Sequence, residues 1–257
     1  MSYSLAADAA LARHLCADAG RELLMLRDKL GFGDADALRR EGDARAHELL
    51  MTGLAESRPG DSVMSEEGEG EQGRVGVSRL NADRVWIVDP LDGTKEYGLA
   101  GREDWAVHVA LWSNGDLRVG AVALPAHNRV LSSDDPPVMS WPKRRLQIAV
   151  SRTRQPAIMA DVARTLDADL VPMGSAGAKV SAVALGDVDA YVHTGGQYEW
   201  DSAAPVAVAR AAGLHTSRID GSELTYNNTD PKLPDVVVCR PDLAGELLAA
   251  ITQARAA

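Results

Sequence analysis

An apolar run, VWIV at positions 85–88, leads directly into the sequence DPLDGT. Four consecutive apolar residues that end at a turn predict a buried strand. Pro90 fixes its own φ angle and restricts the backbone of Asp89, so the turn is expected to be stiff. Gly93 lets the backbone approach a ligand closely. Asp89 and Asp92 therefore stand on a stiff turn at the end of a core strand, where they repel each other unless something neutralises them.

A pair of acids at this spacing is often only a helix cap beside a solvated carboxylate. Two other acidic segments make that explanation insufficient. Glu66 and Glu67 end a second predicted strand, 62–65, and the sequence Glu199-Trp200-Asp201 begins a predicted helix after a Gly-Gly turn. Acids at the ends of three different elements predict one shared acidic centre.

The formal net charge is −10 over 257 residues. This charge argues against general nucleic-acid binding, which needs a basic face that displaces phosphate counterions. It is compatible with an anionic substrate, because bound divalent cations can reverse the local sign of an acidic cleft.

The two cysteines, Cys16 and Cys239, lack CxxC spacing and a nearby His partner, as is typical of reduced, packed thiols in a cytoplasmic protein. The N-terminus has no basic region followed by an apolar run, so no signal peptide is expected. No apolar stretch approaches the roughly 18 residues of a membrane span. We therefore expect a cytoplasmic protein that does not bind membranes.

Apolar residues at spacings of three and four predict a long helix over 5–30, and a second helix is expected over 43–56. Strands are predicted at 62–65, 85–88, 105–112, 116–124 and 129–132. After Asp134-Asp135-Pro136-Pro137, strands at 146–150, 170–172, 190–193 and 236–239 alternate with helices at 155–166, 175–185, 201–212 and 243–255. This order predicts an α/β protein with an α+β half over 1–140 and an α/β half over 141–257.

In their order and spacing, the acid pair after a strand, the sequence DPLDGT and the distant EWDSAAP resemble the inositol monophosphatase superfamily of lithium-sensitive phosphatases. Four segments are similar to the CysQ-type bisphosphate nucleotidases within it: SEE at 65–67, DPLDGTKEY, SRT at 151–153 and GSAGAK at 174–179. The inositol phosphatases usually continue DGT with an Asn-Phe pair, whereas this chain has Lys95-Glu96. The resemblance implies removal of the 3′-phosphate from 3′-phosphoadenosine 5′-phosphate, a by-product of sulfate assimilation.

The resemblance also implies a layered α/β/α/β/α sandwich, with the active site in the crevice between the two halves. It implies five metal ligands, namely the side chains of Glu66, Asp89, Asp92 and Asp201 and the carbonyl of Leu91. Glu66, Thr94 and Asp43 would be catalytic, with Asp43 paired to Thr94. The family usually has Val-Thr before that acid, where this chain has Arg39-Arg40, so Asp36 is kept as a second candidate for it.

Carboxylate and carbonyl oxygens, with no Cys or His, suit Mg²⁺ and not Zn²⁺. We expect two or three Mg²⁺ ions, for which Mn²⁺ can substitute, and attack on the phosphate by a metal-activated water. The predicted substrate contacts are Gly93, Thr94, Lys95, Ser151, Arg152, Gly174, Ser175 and Lys179. Lys143, Arg144, Arg145, Arg152 and Arg154 form a basic segment that is either a solvated edge or a partial contact for a second phosphate.

Two alternatives stay open from the sequence. The protein could instead hydrolyse inositol-1-phosphate, histidinol phosphate or fructose-1,6-bisphosphate, or it could be an inactive member that only binds metal or nucleotide. Tyr191, Tyr198 and Trp200 could stack on a base, but packing explains them equally well. The six histidines are interpreted as structural or surface residues. The sequence is compatible with both a monomer and a homodimer.

Overall fold

The structure is a computed structural model and describes residues 3–68 and 77–256. Within these residues the helices are α1 (Leu5–Leu30), α2 (Ala35–Ser57), α3 (Thr94–Tyr97), α4 (Met159–Thr165), α5 (Ala176–Leu185), α6 (Glu199–Ala211) and α7 (Ala244–Ala256). The strands are β1 (Ser62–Ser65), β2 (Arg84–Asp92), β3 (Ala106–Ser113), β4 (Asp116–Leu124), β5 (Arg129–Ser132), β6 (Gln147–Ser151), β7 (Asp169–Met173), β8 (Ala190–His193), β9 (Gln197–Tyr198), β10 (His215–Ser217), β11 (Lys232–Leu233) and β12 (Val236–Cys239).

The first sheet has the strand order β1-β2-β3-β4-β5, with β1 parallel to β2 and the other neighbours antiparallel. The second sheet has the order β10-β12-β8-β6-β7, in which β6 runs parallel to both β7 and β8. The short strands β9 and β11 pair separately. Helical crossovers through α4 and α5 connect the parallel strands of the second sheet, as parallel pairing requires.

Three apolar clusters divide the molecule into five layers. α1 and α2 cover one face of the first sheet. α5 and α6 lie between the two sheets and bury one face of each, and α4 and α7 cover the outer face of the second sheet. The predicted α/β/α/β/α sandwich is confirmed. The predicted boundary at 140/141 falls between β5 and β6, and the division into two halves stays a prediction because one apolar cluster joins the sheets.

The long helix α1 begins where the sequence predicts. Ser4 caps it by accepting a hydrogen bond from the Ala7 N–H (3.2 Å), and Gly31 ends it at φ +63°. The small residues Ala12 and Cys16 are fully buried, so α1 can approach the sheet closely. None of the described helices combines the length and the apolar character needed to cross a membrane.

The predicted start of the second helix was wrong by two turns. α2 begins at Ala35, because Asp34 accepts a hydrogen bond from the Ala37 N–H (2.9 Å) and caps it there. Asp36 therefore lies in the first turn of α2, where it pairs with Arg39 and is 77% exposed. Asp43 lies in the middle of the helix.

Candidate active site

The parallel pairing of β1 and β2 brings the first acids together. The carboxyl ends of both strands lie at the same edge of the first sheet, and the Glu66 N–H donates to the Val88 carbonyl (3.3 Å). The pairing of β2 with β3 is interrupted between Asp89 and Asp92, where the chain leaves the regular register. This irregularity turns the Asp92 side chain toward the space between the two sheets.

Hydrogen bonds at the end of β2 and in the turn that follows it stabilise this segment. The Leu91 N–H donates to Asp89 Oδ1 (3.0 Å), and the Thr94 hydroxyl donates to the Leu91 carbonyl (2.9 Å). Gly93 has φ +86°, and a Cβ there would lie 3.1 Å from the Ser175 Cβ. Glycine at this position therefore allows both the left-handed backbone and the close approach of α5.

The third acid comes from the other half of the chain. Asp201 lies in the first turn of α6, and its Oδ2 accepts a hydrogen bond from the Tyr198 N–H (2.6 Å). One carboxylate oxygen from each of Asp89, Asp92 and Asp201 lies within 4.8 Å of the other two. These three acids, which we call the carboxylate triad, are spaced as ligands of a shared cation would be.

Like charges and burial shift the pKa values of this centre. Burial, followed by the nearby charges of Glu66, Asp92 and Asp201, raises the pKa of Asp89 well above its usual range. Burial is also the main reason why the pKa of Glu66 rises to about 8 and that of Asp201 to about 6. A bound cation would relieve this repulsion, and oxygen donors from carboxylates are the kind that Mg²⁺ prefers. The donor set therefore fits a divalent metal ion.

Asp92 differs from its neighbours because donors surround it. Burial would raise its pKa, but His108, Lys179 and Ser175 outweigh burial and lower it to about 2. The Ser175 hydroxyl and the Gly177 N–H both donate to Asp92 Oδ2, at 2.5 and 2.6 Å. Asp92 is thus the member of the triad that stays ionised most readily.

His108 on β3 is fully buried and links the two halves behind the triad. Its Nδ1 lies 3.0 Å from the Trp200 carbonyl, and its Nε2 lies 3.3 Å from Asp92 Oδ2. A Cβ on Gly177 would lie 2.0 Å from His108 Nε2, so only glycine leaves room for the ring. From the sequence, His108 was interpreted as a structural or surface residue, and its position beside the acids was not predicted.

Lys179 is also buried, and its ammonium group has carbonyl partners. It donates to the carbonyls of Gly174 (2.7 Å) and Ser175 (2.6 Å). Ser175 has φ +37°, an unfavourable backbone conformation for a residue with a side chain. The two hydrogen bonds from Lys179 stabilise this turn. Burial lowers the pKa of Lys179 to about 8, although nearby carboxylates led by Asp92 oppose that shift.

The Thr94 hydroxyl also lies 3.4 Å from Asp43 Oδ1, the pairing expected from the sequence. Burial and the charge of Glu67 raise the pKa of Asp43 to about 7. Asp36, the second candidate for this acid, pairs instead with Arg39 on the exposed side of α2.

A cavity of about 290 Å³ opens in front of the triad. It is lined by predicted site residues, which are Glu66, Asp89, Leu91, Asp92, Gly93, Thr94, Lys95, Ser151, Gly174, Ser175, Lys179 and Asp201. Seven further lining residues were not in the predicted site, namely Glu96, Thr153, Arg154, Ala176, Tyr191, His193 and Gln197. Asp43 lies behind Thr94, outside the lining. Arg152 is likewise outside it and donates to Glu96 Oε1 (2.5 Å), which does line the cavity.

The chain is similar to known proteins of one family over nearly its whole length. A family model described as "Inositol monophosphatase family" matches residues 12–256. A "3′-phosphoadenosine 5′-phosphate phosphatase" from Mycobacterium leprae (strain TN) is 51% identical over 259 residues, covering 96% of this chain and 94% of the relative. A "3′(2′),5′-bisphosphate nucleotidase CysQ" from Escherichia coli (strain K12) is 33% identical over 199 residues, covering 72% of this chain and 77% of the relative.

A solved structure shows the same fold. CysQ from Bacteroides thetaiotaomicron, described as a bacterial member of the inositol monophosphatase family, superposes with a TM-score of 0.78 at 24% identity. The superposition covers 91% of this chain and 97% of that one.

Proposed function

Because the chain belongs to the inositol monophosphatase family, we propose that it is a Mg²⁺-dependent phosphomonoesterase that converts 3′-phosphoadenosine 5′-phosphate to AMP and phosphate. The carboxylate triad at the cavity, beside the Thr94–Asp43 pair, is the observation that carries the phosphatase activity. The choice of substrate is supported by the 51% identity to a relative with that name. This activity would remove a by-product of sulfate assimilation.

The metal site proposed here comprises the side chains of Glu66, Asp89, Asp92 and Asp201 and the carbonyl of Leu91. Bound Mg²⁺ would supply the positive charge that activates water and stabilises the phosphoryl oxygens during hydrolysis. We propose two or three ions, with Mn²⁺ as a substitute. The crowding of Glu66 and the triad supports more than one ion, because a single divalent charge would leave four carboxylates undercompensated.

The Thr94 hydroxyl is placed to move a proton. It lies between the Leu91 carbonyl and the Asp43 carboxylate, so it can donate to one while it accepts from a water in the cavity. The pKa of Asp43, raised to about 7 mainly by burial, suits a group that takes up a proton near neutral pH. Glu66 lines the same cavity and would orient the same water.

The substrate phosphate is expected at the mouth of the turn after β2. Gly93, Thr94, Lys95, Ser151, Gly174 and Ser175 line the cavity there. The Lys179 ammonium group donates to two backbone carbonyls, so we propose that it supports the turn at Gly174 and Ser175 and thereby shapes the phosphate site.

Phosphate release by the purified protein with Mg²⁺ tests this proposal. Values of kcat/KM are compared for 3′-phosphoadenosine 5′-phosphate, inositol-1-phosphate, histidinol phosphate, fructose-1,6-bisphosphate and 5′-AMP. A preference of about a hundredfold or more for the bisphosphate nucleotide is expected. Comparable rates on the sugar phosphates would contradict the proposed substrate but would still support a phosphatase activity. If none of the five substrates releases phosphate, but calorimetry detects nucleotide binding, the protein would be an inactive binding module.

A further inference from the structure

The basic segment between Lys143 and Arg154 separates into residues with different surroundings. Arg144 pairs with Asp189, and Arg145 pairs with Asp167 and Asp169, all away from the cavity. Both arginines are therefore held in ion pairs at the second sheet, Arg144 with a buried carboxylate and Arg145 with two exposed ones. Lys143 does not line the cavity either.

The two arginines of the loop after β6 also differ from each other. Arg152 is paired with Glu96 on α3 and so joins the two halves of the chain. Arg154 lines the cavity, and its guanidinium donates to the Gly196 carbonyl (3.2 Å). Within the described residues it has no carboxylate partner. The loop is fixed in this orientation because the Arg154 N–H donates to the Ser151 hydroxyl (3.1 Å).

Two buried side chains beside Arg154 have unused hydrogen-bonding atoms. His193 and Gln197 are 3% and 5% exposed and line the same cavity. Within the described part of the chain, both ring nitrogens of His193 and the Oε1 of Gln197 lack a hydrogen-bond partner. Buried polar atoms are rarely left unpaired, so this end of the cavity is built to hold a polar ligand group.

We propose that Arg154 binds the phosphate that is not hydrolysed, in a subsite completed by His193 and Gln197. This inference rests on the proposed function, since the substrate must carry two phosphates. A guanidinium has five donors in a planar fork that matches a phosphate, and the Gly196 carbonyl occupies one of its nitrogens. The neutral donors and acceptors of His193 and Gln197 suit the free 2′-hydroxyl group of the sugar between the two phosphates.

The electrostatics of this end of the cavity support an anion. Burial lowers the pKa of His193 to about 4, and the positive charges of Lys179 and Arg154 act in the same direction. The triad supplies negative charge to the cavity, and Arg154 supplies positive charge at the end that it shares with His193 and Gln197. A substrate with a second phosphate would satisfy that positive end, whereas a monophosphate would leave it unpaired.

Comparison of a bisphosphate with the matching monophosphate tests the assignment. Values of kcat/KM are measured for 3′-phosphoadenosine 5′-phosphate and for adenosine 3′-phosphate, which has the same reacting group. Arg154→Met should lose about 10- to 100-fold on the bisphosphate and less than about threefold on the monophosphate. Arg152→Met is the matched control, and we expect it to affect both substrates equally because Arg152 acts through Glu96.

Lys95 offers the competing assignment, because it also lines the cavity. It follows Thr94 directly, so Lys95→Met should reduce hydrolysis of both substrates to a similar extent. A selective loss on the bisphosphate with Lys95→Met, or an equal loss on both substrates with Arg154→Met, would overturn the assignment to Arg154.

Binding of AMP and adenosine without metal separates this inference from the proposed function. Calorimetry should show that AMP binds the wild type more tightly than adenosine, and that Arg154→Met removes the difference. If the wild type hydrolyses neither nucleotide but keeps this difference, the proposed function fails and the subsite stands. If hydrolysis occurs and AMP binds no better than adenosine, the subsite is wrong and the proposed function stands.

Discussion

The Ser175 hydroxyl donates a 2.5 Å hydrogen bond to Asp92 Oδ2, although one residue caps α5 and the other ends β2. The Gly177 N–H donates to the same oxygen, so the first turn of α5 holds the carboxylate from the opposite side of the crevice. The position of Asp92 therefore depends on how the helices between the sheets pack against the end of β2. The site is formed by the interface of the two sheets and not by either sheet alone.

Asp92→Asn should lower kcat by roughly two orders of magnitude or more, because it removes one of the charges proposed to hold the metal. The fold should stay intact, since an amide oxygen can still accept the hydrogen bonds from the Ser175 hydroxyl and the Gly177 N–H. Phosphate release under saturating Mg²⁺ measures the loss, and thermal unfolding checks the fold. Asp36→Asn is the control, because Asp36 is exposed on α2 and should keep full activity. More than half of the wild-type rate in Asp92→Asn would contradict the role of Asp92.

The acids of the site could be predicted because each belongs to a local pattern. Asp89 and Asp92 follow an apolar strand, and Asp201 follows a Gly-Gly turn at the start of a helix. Several strands of the fold were predicted with the bounds that the structure gives, including β4, β8 and β12. Apolar runs that end at turns define such strands without information from the rest of the chain.

The partners of those acids could not be predicted in the same way. His108 lies within an apolar strand, and the carbonyl it contacts belongs to Trp200, 92 residues away. Arg152 and Arg154 differ by two positions, and only the packed loop decides which one meets Glu96 and which one faces the cavity. The early start of α2 was missed for another reason. Asp34 was not recognised as a capping residue, and the first turns of α2 carry few apolar residues and so show no apolar stripe.

Gly177→Ala should destabilise the protein by about 2 kcal/mol, because the added Cβ would overlap the buried ring of His108. The same overlap should displace Asp92 and raise the Mg²⁺ concentration needed for half-maximal activity. Urea unfolding and a Mg²⁺ titration measure the two effects. Gly245→Ala is the control, since a Cβ there meets nothing within 4 Å. Equal stability of the two variants would show that the ring does not require glycine.

Mg²⁺ should raise the thermal stability of protein first stripped of metal with a chelator, because it relieves the repulsion that raises the pKa of Asp89. At a hundred times the dissociation constant, one bound ion adds about 2.7 kcal/mol. Asp201→Asn should reduce this Mg²⁺-dependent increase in melting temperature, because it removes a carboxylate of the triad. Asp28→Asn is the control, because Asp28 is exposed on α1 and its loss should leave the increase unchanged. Differential scanning calorimetry measures the shift. An unchanged shift in Asp201→Asn would exclude Asp201 from the metal site.

The pKa of His193 predicts a specific dependence of stability on pH. Its folded value is about 4, below the usual 6.5, because the buried ring is held neutral. Between these values the unfolded chain binds more protons than the folded protein. The stability that the neutral ring contributes is therefore complete above pH 6.5 and is lost as the pH falls toward 4. At pH 5 the free energy of unfolding should therefore be lower by about 2 kcal/mol than it is well above pH 6.5.

His193→Gln removes this titration, so its free energy of unfolding should fall less steeply than that of the wild type between pH 7 and 5. Urea unfolding at several pH values, with a chelator present to remove metal, measures the two slopes. His127→Gln is the control, because His127 is exposed and its loss should leave the wild-type slope unchanged. Parallel curves for the wild type and His193→Gln would mean that His193 is solvated or paired in the folded protein. In that case His193 would also lose its place in the subsite beside Arg154, because its ring nitrogens would already be occupied.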